Sequence, residues 1–145
     1  MSDQPINWPV MVGTMIDQTL GSAGDLFKSG AYCWASFKSD FTPLGSKVIV
    51  LVDVVGGCVP SSALDLYREI EATYPKLVPA IGRAVSSRTS IPEVGIEKRF
   101  RLEMIDIRSH IRPSACVLHY RTDREFDWYV RVSGDYRVEV HGERD

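Results

Sequence analysis

Between Leu64 and Val85 the residues Leu64, Tyr67, Ile70, Tyr74, Leu77, Val78, Ile81 and Val85 recur every three or four positions. That spacing draws a single apolar stripe down one side of a helix, which must be buried against another layer. Ser62 and Asp65 have the S-x-x-D spacing of a capping box, with Pro60 just upstream. Pro75 and Pro79 fall inside the pattern, and each removes a backbone donor and crowds the turn before it. The sequence therefore predicts one broken helix, residues 62–73 and 76–86, with a shared core-facing side.

The rest of the chain reads mainly as strands. "KVIVLVDVV" (47–55) is apolar on both faces and rich in β-branched residues, the pattern of a central strand, with Asp53 its one interior charge. "AYCWASFKSDF" (31–41) alternates, placing Cys33, Ala35, Phe37 and Ser39 opposite Tyr32 and Trp34. In "IEKRFRLEMIDIRSHI", Phe100, Leu102 and Met104 share one face, whereas Ile105, Ile107 and Ile111 share the other. A side-chain period of two cannot do this unaided, so a β-bulge is predicted near Met104–Ile105. A meander follows at 115–121, 126–132 and 136–142. Its middle strand, in "TDREFDWYVRV", sends Phe126, Trp128, Val130 and Val132 inward and Asp127, Tyr129 and Arg131 outward. Residues 1–17 hold Pro5 and Pro9 and read as a peripheral segment of undecided conformation. The expected fold is a single α+β domain over 1–145. It would be a curved, mainly antiparallel sheet of about six to seven strands with the broken helix on one face.

Composition narrows the function. A chain of 145 residues can bury a core without disulfides or metals. Its net charge of −2, with charges spread along the length, argues against nucleic-acid binding. Three separated cysteines and an N-terminus without a basic or apolar signal region point to a reducing, cytoplasmic setting. No apolar run approaches the roughly eighteen residues of a membrane span.

No catalytic or cofactor motif stands out. Cys58, after two glycines and before the helix, is the one candidate nucleophile, but no base is fixed beside it. Cys116, His119 and His141 lie on strands that could converge as a metal or catalytic set, though their spacing matches no metal motif. The cations of "EKRFRLEMIDIRSHIR" are interleaved with Glu97, Glu103 and Asp106, which suits cross-strand ion pairing rather than a nucleic-acid surface. The expectation is a protein that is not an enzyme. The alternative is a small enzyme or ligand-binding domain with a pocket between sheet and helix.

Four stretches, in order, carry a family resemblance: "LFKSGAYCWASF" after Leu20-Gly21, "VIVLVDV", "PSSALDLYREIEATYPKLVPAIGRAV" and the terminal "HYRTDREFDWYVRVSGDYRVEVHG". Over residues 18–142 this order resembles the small bacterial α+β immunity-like domains associated with polymorphic toxin systems. The resemblance implies a protein that binds and neutralises a cognate toxin by occlusion, with no catalytic set to carry over. Such a binder needs an aromatic or arginine anchor inside a charged rim. Asp127, Tyr129 and Arg131 fit that description, with Asp123, Glu125, Asp135 and Tyr136 around the neighbouring turns. The expected partner is the toxin, with no cofactor, nucleic acid or membrane, and homodimerisation is left open.

Overall fold

The computed structural model describes residues 9–88, 100–108, 115–122, 127–133 and 137–142. The first four strands are β1 (Val10–Asp17), β2 (Gly21–Ser29), β3 (Tyr32–Phe41) and β4 (Ser46–Asp53). Helix α1 (Ser61–Arg88) follows, then β5 (Phe100–Asp106), β6 (Ala115–Thr122), β7 (Asp127–Ser133) and β8 (Val138–Gly142). The eight strands form one sheet in chain order. Neighbours are antiparallel except β4 and β5, which run parallel. Parallel neighbours need a crossover, and α1 lies in it. The α+β plan is as expected, but the sheet has eight strands rather than six to seven. The added strands are β1, at the edge, and β2, whose four glycines and serines mask its strand character.

The helix is a correction. It runs unbroken for 28 residues with Pro75 and Pro79 inside it. Both prolines are exposed and one turn apart, so they share the solvent side, where water can satisfy the carbonyls they leave unpaired. The opposite side holds the stripe: Tyr67, Ile70, Tyr74, Leu77, Ile81 and Val85 are all buried. Continuous burial of that stripe outweighs two lost backbone bonds. The amides of Ala63 and Leu64 donate to the Pro60 carbonyl, so Ser62 sits inside the first turn and not at the cap.

The stripe packs on one face of the sheet. Ala35, Phe37 and Phe41 of β3, Val48, Val50 and Val52 of β4, Leu118 of β6 and Val130 of β7 join it in one buried cluster. Phe41 meets Tyr74 edge-on at 5.1 Å. The Tyr67 hydroxyl donates to the Asp40 carbonyl at 2.9 Å and lies 3.0 Å from Ser39 Oγ. The hydroxyls of Tyr74 and Tyr120 also pair across the layers. Each buried hydroxyl is therefore satisfied.

The predicted bulge is present. The β5–β6 register shifts between Leu102 and Met104, so Leu102 and Ile105 are both buried. Gly24 shows why β2 tolerates a glycine. A Cβ there would lie 2.5 Å from the ring of Phe37, its fully buried partner across the ladder. Gly24→Ala is expected to destabilise the fold by about 1–3 kcal/mol through overpacking. A urea midpoint equal to that of the wild type would contradict this close packing.

Candidate partner-binding face

Alternation assigns every second strand residue to the face away from α1. On this outer face Arg131, Lys38 and Asp25 are exposed, Trp34, Ile49, Met104, His119 and Tyr129 are half-buried, and Leu51, Asp53, Asp106 and Val117 are buried. Three cross-strand rows organise it. One aligns Met11, Phe27, Trp34 and Asp53 across β1 to β4. A second runs through Asp25, Ser36, Leu51, Asp106, Val117, Arg131 and Glu139. The third aligns Lys38, Ile49, Met104, His119 and Tyr129.

The parallel β4–β5 pair builds the densest part. Parallel strands end on the same side, so Asp53 and Asp106 come together there, and antiparallel β3 begins there with Tyr32 and Trp34. Arg108, just beyond β5, folds back over this end. Its Nε donates to Asp106 Oδ1 at 2.9 Å and its Nη2 to Asp106 Oδ2 at 2.8 Å. Its guanidinium carbon lies 4.8 Å from the centre of the Trp34 ring. Phe27 stacks on the same ring at 4.4 Å. The Tyr32 hydroxyl donates to Asp53. Asp53 and Asp106 are only 7% and 6% exposed, so these partners stand in for lost hydration. Burial alone would lower the Arg108 pKa, but the bonds to Asp106 and its charge outweigh this and hold it raised. Among the described residues, the cluster sets Arg108 against the carboxylates of Asp53 and Asp106.

β7 forms the other part. Tyr129 stacks on His119 with ring centres 4.6 Å apart and planes 13° from parallel. Arg131 is exposed between Val117 and Glu139. Tyr129 and Arg131 therefore lie on the outer face, as the strand pattern predicts, and Val130 and Val132 are buried inward. Asp127 pairs with Arg121 through the backbone, but its side chain, like those of Trp128 and His141, lies outside the described set. Asp123, Glu125, Asp135 and Tyr136 lie outside the described residues, as does Phe126. Glu103 meets Arg121 at 3.5 Å and Arg101 at 3.9 Å, the surface ion pairing expected of this segment.

Among the described residues, Cys116 and His119 of the alternative reading are not brought together. Cys116 is buried toward α1, whereas His119, three residues on, faces the opposite side. Among the described residues no three His, Cys, Asp or Glu side chains converge as a metal site. Cys58 is exposed in the Val55–Cys58 turn, whose Gly56 and Gly57 have positive φ. The space between sheet and helix is filled by the buried cluster.

Burial pushes the Cys116 thiol from about 9 up to about 12. The unfolded chain then releases this proton at a lower pH than the folded one, so stability falls as pH rises through that window. The slope is about 1.4 kcal/mol per pH unit for one group. Cys116→Ala is expected to flatten the alkaline limb between pH 9 and 12 in urea titrations, and an unchanged slope would contradict the assignment. Tyr32 and Tyr67, both raised chiefly by burial, act in the same direction above pH 10.

Comparison with protein-family models, curated proteins and solved structures finds no match to the chain. No helix among the described residues is long and apolar enough to cross a membrane. The sequence pattern gave the Tyr129 and Arg131 positions but missed the Tyr32, Trp34, Asp53, Asp106 and Arg108 cluster. Its only local sign was the lone charge of Asp53 in an apolar strand.

Proposed function

We propose that this is an immunity-type protein, which binds a cognate bacterial toxin or effector in the cytoplasm and neutralises it by occluding its working surface. The observation that carries the reading is the outer sheet face. It presents Trp, Tyr and Arg side chains, the types that dominate binding energy at interfaces. They are held in place beforehand by stacking and by the bidentate Arg108–Asp106 pair. Side chains ordered in advance lose less entropy on binding. The resemblance of residues 18–142 to immunity-like domains supports the same conclusion.

Coexpression with the toxin encoded beside its gene is expected to restore growth. Persistent killing when both proteins accumulate to high level would contradict the proposal.

A further inference from the structure

The β1 end of the sheet carries a second surface. Of the six large apolar residues strongly exposed among the described residues, four lie on this edge strand. They are Val10, Met11, Val12 and Ile16, at 58%, 53%, 52% and 77% exposure. Met11 pairs with Phe27 on the outer face, and Val10 pairs with Lys28 on the helix-facing side. A body stacked on one face could cover only part of this set. A strand laid along the edge would flank both faces and pair with its backbone groups.

Natural edges are usually guarded by charge, proline, bulges or short length. Between Val10 and Ile16 there is neither charge nor proline, and β1 is eight residues long. Register shifts at Val12 and Ile16 are its one guard, and they leave Gly13–Met15 as the regular stretch. The other edge, β8, has five residues, carries the charge of Glu139 on the outer face, buries Val140 and packs near α1.

We propose that β1 is a self-association edge, through which two copies pair antiparallel about a two-fold axis into one continuous sheet. Charge favours a second copy as the occupant. An uncharged strand meets no like-charge repulsion when it pairs with itself. Asp17, at one end, would lie at opposite ends of the pair, and its Oδ1 already accepts from the amides of Thr19 and Leu20. Pairing β1 with β1 uses the same patch twice and closes, whereas β1 against β8 would propagate as a filament. A two-fold axis perpendicular to the sheet would place the outer faces of the two copies on the same side, extending that face. One strand pair is a small interface, so the dimer is expected to be weak and concentration-dependent.

Sedimentation equilibrium from micromolar to near-millimolar concentration tests this. The expected mass rises from 16.3 kDa toward twice that value and stops there. Val12→Lys/Ile16→Lys, at exposed positions, is expected to stay monomeric throughout with an unchanged circular dichroism spectrum. Amide exchange in wild-type β1 is expected to slow as concentration rises, which reports the contact without any substitution. A wild type that stays monomeric, a mass that climbs past the dimer, or a dimer unaffected by both lysines with β1 exchange independent of concentration would overturn the proposal.

Discussion

Replacing Arg108 with Met is expected to cost about 3 kcal/mol or more of folding stability, the usual effect of breaking a buried ion pair from one side. The side chains of Arg108 and Asp106 are 16% and 9% exposed, so water cannot replace the guanidinium. Asp106 would lose both side-chain bonds from Arg108 and keep the one from that residue's backbone amide, and the nearby Asp53 would lose the favourable Arg108 charge. The Trp34 ring would lose the cation on its face. In urea, with a slope of about 1–3 kcal/mol per molar for a domain this size, the midpoint should fall by roughly 1–3 M. Arg108→Lys should recover little, because an ammonium cannot reproduce the forked pair. Adding Asp106→Asn to Arg108→Met should recover a large part, since it removes the orphaned charge. An unchanged midpoint in Arg108→Met would mean that this cluster does not hold the sheet end together.

Tyr129→Ala/Arg131→Glu is expected to weaken toxin binding by about a hundredfold or more, since central tyrosines and arginines commonly contribute 2 kcal/mol or above each. The reversal at Arg131 also sets a like charge beside the exposed Glu139. Folding should suffer far less. Arg131 is exposed, and the His119 stack lost with Tyr129 contributes about 1 kcal/mol. Loss of binding with the fold retained separates a recognition role from a structural one.

What could be read in the chain beforehand follows from the range of each interaction. The helical stripe and the alternation of β7 are local periodicities; the stripe is buried or half-buried, and Val130 and Val132, the described part of the β7 inner row, are buried. The bulge was legible because two apolar triplets on one run contradict a period of two, and it falls at Glu103, one residue before the predicted site. The unbroken helix was not legible. Local propensity counts the cost of Pro75 and Pro79, whereas the buried stripe that compensates is a tertiary term. β2 was hidden by Gly21 and Gly24, which are there because the Lys38 carbonyl and the Phe37 ring approach them closely. The outer cluster depends on β4 and β5 lying side by side, a pairing of Leu51 with Asp106 that no local pattern encodes.

The most direct test of the central proposal is a calorimetric titration of the toxin encoded beside the gene into three proteins in parallel. These are the wild type, Tyr129→Ala/Arg131→Glu on the outer face, and Lys76→Glu/Arg83→Glu on the exposed side of α1. The outer-face proposal predicts equal affinity for the wild type and the helix variant, with at least a hundredfold loss for the outer-face variant. Wild-type affinity in the outer-face variant, with binding lost instead in the helix variant, would contradict it.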